Sequence, residues 1–157
     1  MNSLKRRTFL KGTAAIGSVG FALGAGLLTP RMVMASWPKS AFDSRSVDDV
    51  LTNLVGSTDT SDNERIQIRA PDIAENGNVV PITVETTIAN IETISILTEQ
   101  NAAPLTASFV LGASADGFVA TRMKMGKTSD VIAVVKADGK LHSSRKEVKV
   151  TIGGCGG

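Results

Sequence analysis

The sequence predicts a mainly β protein, an antiparallel β-sandwich with one short helix near its start. About seven short segments alternate apolar and polar residues, and Asn-Gly or Asp-Gly pairs separate several of them. A single segment repeats its apolar residues at helical spacing. With 157 residues, the chain is long enough for one domain with a hydrophobic core and too short for two.

The first 35 residues have the three parts of a secretory signal. "KRRTFLK" at 5–11 is basic, "GTAAIGSVGFALGAGLLT" at 12–29 is uncharged and apolar, and "VMA" at 33–35 supplies small residues for cleavage. The Arg6-Arg7 pair resembles a twin-arginine export signal. We therefore expect cleavage after Ala35 and a mature protein in the periplasm.

An uncleaved membrane anchor is the alternative interpretation of this segment. The apolar run is at the lower length limit for crossing a bilayer, and its glycines lower the gain from insertion. We therefore predict no stable anchor and three parts of the chain: a signal at 1–35, a sandwich domain at 36–152 and a flexible arm at 153–157.

The helix is predicted just after residue 46. Ser46 with Asp49 is typical of a helix start, and Gly56 can end the helix. The preceding stretch, "SWPKSAFDSR", is expected to be irregular. The apolar residues at helical spacing are Val47, Val50, Leu51, Leu54 and Val55.

Strands are predicted after the polar loop "STDTSDNE". "RIQIRA", "VVPITVETTI" and "TISILT" each place alternate apolar residues on one face. Pro81 predicts that its strand lies at an edge or contains a bulge. The inward residues expected in these segments are Ile66, Ile68, Val80, Ile82, Val84, Ile94 and Ile96.

The remaining strands are "TASFVLG", "FVATRMKM", "SDVIAVVKA" and "KEVKVTI". In the last of them, Val148, Val150 and Ile152 alternate with polar residues. Asn and Gly tolerate the positive φ angles of tight hairpins, as does Asp, so three pairs predict turns. They are Asn76-Gly77, Asp116-Gly117 and Asp138-Gly139.

Charge and composition argue against a nucleic-acid-binding protein. The signal segment holds five basic residues and no acid, whereas the rest of the chain holds 12 basic and 15 acidic residues. There is no tyrosine and one tryptophan, which leaves few side chains for base stacking. Residues 36–116 carry four basic and twelve acidic residues, and 117–157 carry eight and three. This polarity could attract an anionic substrate or an acidic partner, or it could reflect the solvent-facing sides of strands.

Cys155 is the single cysteine and lies within "GGCGG" at 153–157. One cysteine cannot form an internal disulfide, so in an exported protein it indicates an intermolecular bridge or a thiol kept for chemistry. Glycines order at a high entropic cost and offer no side chains to pack, which predicts a flexible arm. The arm glycines are Gly153, Gly154, Gly156 and Gly157.

The sequence offers this thiol no catalytic partner. A catalytic cysteine needs a base or a fixed positive environment. His142, the single histidine, lies in the polar segment "KLHSSRK" and is expected to be a surface residue without a role. No metal-ligand spacing is present. We therefore predict a non-catalytic protein without a metal or cofactor.

The segment "VIAVVKADGKLHSSRKEVKVTIGGCGG" at 131–157, with the export signal and the strand pattern, resembles the SoxY family, the sulfur-carrier subunits of the bacterial Sox system. The resemblance implies an immunoglobulin-like sandwich, a heterodimer with a SoxZ-like subunit, and thiosulfate-derived sulfur held on Cys155. It also implies that a haem cytochrome joins thiosulfate to the thiol as a cysteine S-thiosulfonate. A hydrolase then releases sulfate, and, where present, a sulfane dehydrogenase oxidises the remaining sulfur.

Cys155 has three other interpretations. The ubiquitin-like sulfur carriers also end in Gly-Gly, but their activation needs ATP, which an exported protein does not meet. An exported structural or adhesion sandwich could use Cys155 to form a covalent dimer. A lipid anchor is disfavoured because bacterial lipidation uses an N-terminal cysteine.

Overall fold

A computed structural model describes residues 38–151 of the chain. This part contains two helices, α1 (Lys39–Asp43) and α2 (Val47–Val55). Its nine strands are β1 (Ser61–Asp62), β2 (Ile66–Arg69), β3 (Ile73–Ala74), β4 (Val80–Thr86), β5 (Ile91–Thr98), β6 (Leu105–Val110), β7 (Phe118–Met123), β8 (Ser129–Ala137) and β9 (Lys140–Val150).

The strands form two sheets that enclose the main core. The larger sheet has the order β1-β9-β8-β5-β6, with β3 also paired to β9, and the smaller sheet has the order β2-β4-β7. The mainly β prediction, with two sheets and a short helix, is therefore confirmed. The inward residues of this core include Val80, Ile82, Val84, Ile94, Ile96, Val131, Ala133, Val135 and Val148.

The second face of the larger sheet is also covered. Val50 and Leu51 of α2 and Ala41 of α1 pack in one buried cluster with Ile132 and Val134 of β8. The two central strands β5 and β8 are consequently buried on both faces along most of their length. This explains their nearly continuous apolar sequences, since neither face meets water.

The predicted helix α2 and its caps are confirmed. The Ser46 side chain accepts a hydrogen bond from the Asp49 backbone N–H at 3.1 Å. At the other end, Gly56 has a φ angle of 79° and its N–H donates to the Thr52 carbonyl at 3.1 Å. The cap chemistry read from the sequence therefore sets both ends of the helix.

Helix α1 lies in the segment that the sequence predicts to be irregular. It makes little more than one turn, which is too short to show a helical period in the sequence. Burial of Ala41 and an ion pair between Lys39 and Asp43 accompany it. Contact with the larger sheet thus accounts for a helix that the sequence pattern does not reveal.

The prediction for Pro81 is wrong, because β4 is the central strand of the smaller sheet and its register shows no bulge. Along β4, pairing with β2 begins at Thr83, two residues after Pro81. The Thr86 N–H points toward the β7 side, where it donates to the Gly117 carbonyl at 2.8 Å. By strand alternation the Pro81 nitrogen faces the β2 side, where no strand of the described part pairs with it, so no ladder hydrogen bond is lost.

One of the three predicted turns is a hairpin. Asp138 and Gly139 have φ angles of 49° and 70° and join β8 to β9, as expected for an Asp-Gly turn. Asn76-Gly77 and Asp116-Gly117 instead lie in links that cross between the two sheets. Positive φ angles do not explain Gly117, because its φ lies outside that region.

Strand β9 departs from the all-antiparallel prediction at its outer edge. β1, which arises within the polar loop, and β3 both run parallel to it, with Ser61 opposite His142 and Ile73 opposite Lys149. The eleven residues of β9 are thereby covered by two short segments, one near each end. The unpaired edge that a long terminal strand would expose is reduced.

Candidate functional site

The predicted site residues lie outside the described part of the chain. These are Cys155 and its neighbours Gly153, Gly154, Gly156 and Gly157, together with Arg6 and Arg7 of the predicted signal. The predicted boundaries at 35 and 152 lie outside it as well. The structure does describe the chain up to Thr151. We call Lys149–Thr151 the root, since the segment with Cys155 follows it directly.

The root continues β9 beyond Ser129, the residue at which the antiparallel strand β8 begins. The β8–β9 pairing ends where Ser129 lies opposite Val148. Val148 is fully buried, and Val150 is half-buried against the same core. The predicted inward alternation of β9 is thus confirmed for these two valines, whereas Ile152 lies beyond the described residues.

Backbone hydrogen bonds hold the root on the β3 side. The Lys149 N–H donates to the Asp72 carbonyl at 3.0 Å, and the Thr151 N–H donates to the Ala74 carbonyl at 3.1 Å. The Thr151 hydroxyl also donates to the Glu75 carbonyl at 3.1 Å. These contacts come from residues more than 70 positions earlier in the sequence.

A side chain holds the root on the other side. The Val150 N–H points away from β3, and it donates to the Thr128 Oγ1 at 3.0 Å. Beyond Ser129, β8 offers no backbone carbonyl, so the Thr128 hydroxyl takes its place in the ladder. Sequence reasoning missed Thr128 and Thr151, because neither belongs to a local motif and each role depends on distant pairing.

The basic residues near the root are partly neutralised by acids from the first half of the domain. Lys146 Nζ lies 3.0 Å from Asp72 Oδ1 and also donates to the Ala70 carbonyl at 2.8 Å. A similar pair lies at the other end of β8, beside the β8–β9 hairpin, where Lys136 Nζ is 2.8 Å from Glu92 Oε2. The acidic and basic halves of the sequence therefore meet across the fold, which weakens the field expected from the sequence polarity.

His142 lies near the opposite end of β9 from the root. Its Nδ1 is 3.2 Å from the Ser61 hydroxyl and 3.4 Å from the Asn63 side-chain amide, which tie β9 to the β1 segment. Eight residues separate it from Val150, about 26 Å of extended strand. That distance exceeds the ~18 Å that the five residues from Val150 to Cys155 can span when fully extended. His142 therefore connects strands and is not placed as a base for the thiol.

The described residues 38–151 hold no cluster of three metal-ligating side chains of the His, Cys, Asp or Glu type. Within the same residues, no helix is long and apolar enough to cross a membrane.

Two clefts lie at the end of the sandwich remote from the root. One, of about 560 Å³, is lined by 88–92, 110–113 and 115–117. The other, of about 580 Å³, lies around Arg65, Thr87 and Phe118. Both lie where β5 and β7 begin, whereas the root lies where β8 begins and β5 ends. The root thus lies at the other end of the domain from these clefts.

The comparisons with known proteins agree on one family. The family model "Sulfur oxidation protein SoxY" matches residues 51–155. Among solved structures, the sulfur carrier protein SoxY from Chlorobium limicola f thiosulfatophilum is similar, with 44% identity and a TM-score of 0.63. The match covers 68% of this chain and 97% of that one.

A second solved structure shares the fold alone. The superoxide reductase (neelaredoxin) from Ignicoccus hospitalis aligns with a TM-score of 0.50 at 16% identity, covering 67% of this chain and 92% of that one. A search of curated protein sequences gives no significant match.

Proposed function

This chain belongs to the SoxY family of sulfur oxidation proteins, and on that premise we propose that it is a periplasmic carrier that holds thiosulfate-derived sulfur on Cys155. The observation that supports the proposal most is the position of the thiol in the sequence. The family match extends to residue 155, and the chain reaches that cysteine directly from the root of β9. In the sequence, a short segment that contains two glycines thus connects the chain's one thiol to a strand that is paired on both sides.

The proposed role is non-catalytic, since the reactions belong to partner enzymes. Five residues separate Cys155 from Val150, at most ~18 Å of chain. Glycine neighbours present no side chain that would collide with the wall of a narrow active site. A thiol placed in this way suits delivery into other proteins, where the base or metal is supplied by the enzyme that receives it.

Loading is an oxidation that needs an electron acceptor. The Cys155 thiol loses its proton, its sulfur bonds to the terminal sulfur of thiosulfate, and two electrons pass to a haem cytochrome partner. The product is the S-thiosulfonate, Cys–S–S–SO3⁻. A hydrolase then adds water, which splits the bond between sulfur and the sulfonate group. Sulfate leaves with one proton, and the cysteine keeps a persulfide, Cys–S–SH, that a sulfane dehydrogenase could oxidise further.

The proposal includes a stable partner and a location. A SoxZ-like subunit would form a heterodimer with this chain, and the periplasm would be reached by the twin-arginine route through Arg6 and Arg7. The carrier needs no cofactor of its own in this scheme, because the sulfur intermediates are attached covalently.

Mass spectrometry of the intact protein tests the proposal. After incubation with thiosulfate and the haem cytochrome partner, the neutral mass should rise by one S2O3 unit located on Cys155, because –S–SO3H replaces the thiol hydrogen. Adding the hydrolase should leave a gain of one sulfur atom. The matched control is Cys155→Ser, which should gain neither mass. A disulfide-linked dimer without any adduct would favour the structural or adhesion alternative, and a terminal thiocarboxylate would favour the ubiquitin-like one.

A further inference from the structure

The last three described residues of the chain send their N–H groups to alternating sides. Lys149 and Thr151 donate toward the β3 side, to the carbonyls of Asp72 and Ala74, and Val150 donates toward Thr128. This alternation, with partners on both sides, is that of an inner strand of a sheet. It continues at Val150, although the last residue pair between β8 and β9 is Ser129 with Val148. The root is therefore held from both sides at the point where the tail begins.

The two segments that hold the root are also bonded to each other. The Met125 N–H donates to the Gly77 carbonyl at 2.7 Å, which joins the loop before β8 to the turn after β3. Both segments cross between the sheets at the same end of the sandwich. Together they form a closed frame around the end of β9, which we call the root frame (residues 72–77 and 124–128).

The root frame is itself anchored. The Met125 side chain is fully buried in the main core. Asn101 binds the same loop twice: its Nδ2 donates to the Lys124 carbonyl at 2.8 Å, and its Oδ1 accepts from the Gly126 N–H at 3.1 Å. Thr128 thus projects from a loop with little freedom to shift, so its hydroxyl can fix the Val150 N–H in direction.

We propose that Thr128 and Thr151 are positioning residues for Cys155, which hold the end of β9 as a fixed base for the segment that carries this thiol. The inference rests on the carrier function proposed above and assigns part of that function to the root frame. A carrier tail that starts from a fixed base searches a smaller volume, so a larger fraction of its conformers can enter a partner's active site. Loosening the base lowers this fraction and weakens apparent binding in proportion.

The test uses valine at each threonine, because valine keeps the branched shape and loses the hydroxyl. Thr128→Val removes the acceptor of the Val150 N–H, and Thr151→Val removes the bond to the Glu75 carbonyl. Serine restores a hydroxyl at either position. Thr52→Val is the matched control, since Thr52 is an exposed threonine on α2, away from the root frame.

The first measurement is independent of sulfur chemistry. A nitroxide label is attached to Cys155, the one thiol in the chain, and its mobility is read by electron spin resonance. We expect greater mobility in Thr128→Val and Thr151→Val than in the wild type, and wild-type mobility in the serine variants and in Thr52→Val. Unchanged mobility in both valine variants at the root would overturn the proposal.

The second measurement is the kinetics of loading by the haem cytochrome partner with thiosulfate. We expect the KM for Thr128→Val to rise ~2–10-fold, as for loss of one hydrogen bond, with kcat nearly unchanged and with rescue by Thr128→Ser. Alkylation of the thiol by a small reagent should keep its wild-type rate. Greater label mobility with an unchanged KM would refute the positioning role. A wild type that takes up no sulfur would instead contradict the carrier function, while the label would still decide whether the frame holds the root.

Discussion

At the scale of single residues, Gly117 is set by close packing against β4 and β5. A Cβ atom there would lie 2.4 Å from the Thr86 carbonyl oxygen and 2.7 Å from the Ile91 side chain. The Gly117 carbonyl also accepts the Thr86 N–H at 2.8 Å, so the two backbones cannot separate without losing that bond. A glycine is required at position 117 because the β4 backbone lies too close to leave room for a side chain.

We expect Gly117→Ala to destabilise the domain by about 1–3 kcal/mol, the usual cost of forcing extra atoms into a packed site. Gly112→Ala is the matched control, since a Cβ there meets nothing within 4 Å and the φ angle is not positive. It should change the stability by less than about 0.5 kcal/mol. Urea unfolding of both variants measures the difference, and equal losses would show that the close approach at Gly117 is not maintained in solution.

At the scale of elements, Glu92 ties the start of β5 to the β8–β9 hairpin. Its Oε2 lies 2.8 Å from Lys136 Nζ, and its Oε1 accepts the Gly139 N–H at 3.1 Å. The hydrogen bond from Lys136, followed by that from Gly139, lowers the pKa of the Glu92 carboxyl below its ordinary value of 4.5. The charged carboxylate therefore favours the folded state.

This shift predicts a dependence of stability on pH. A lowered folded-state pKa contributes stability that is present above the unfolded value and is lost as the pH falls through the folded one. Glu92→Gln should thus be less stable than the wild type near neutral pH, and the gap should narrow as the pH falls below 4.5. Urea unfolding across this range measures the gap. Glu64→Gln, at an exposed position with no ion pair in the described part, is the control, and a gap at Glu92 that stays constant with pH would contradict the linkage.

The elements that could be predicted are those whose signals are local. The caps of α2, the inward alternation of β4 and the Asp138-Gly139 hairpin each depend on residues a few positions apart. The short strands β1 and β3 carry no period, and they exist because β9 offers them an edge. The prediction for Pro81 is wrong for a related reason. The residue at which β2 ends decides which residues of β4 need an N–H for pairing.

The candidate site divides in the same way. Cys155 and its glycines stand out in the sequence because nothing else resembles them, whereas Thr128 and Thr151 have no distinguishing neighbours. Thr128 lies 22 positions from Val150, and Thr151 lies 76 positions from Glu75. These two hydroxyls hold the root only because strand pairing brings distant residues together, and a single sequence does not show that pairing.

At the scale of the whole molecule, the described domain has two unlike ends. One end carries the β8–β9 hairpin and the clefts around Ile91 and Phe118. The other end carries the root frame, from which the segment with Cys155 continues. The two ends lie about the length of β9 apart, because the hairpin begins this strand and the root ends it.

The carrier function also requires that the protein reach the compartment of its partners, and the signal residues make this testable. The twin-arginine route reads two guanidinium groups, which differ from ammonium groups in planarity and hydrogen-bonding geometry although the charge is equal. Changing Arg6 and Arg7 to lysine should therefore leave an unprocessed precursor in the cytoplasm. Lys11→Arg keeps the charge and the arginine pair and should be exported like the wild type. Cell fractionation with intact-mass measurement separates the precursor from a mature chain that begins at Ser36, and normal periplasmic accumulation of the double-lysine variant would contradict this route.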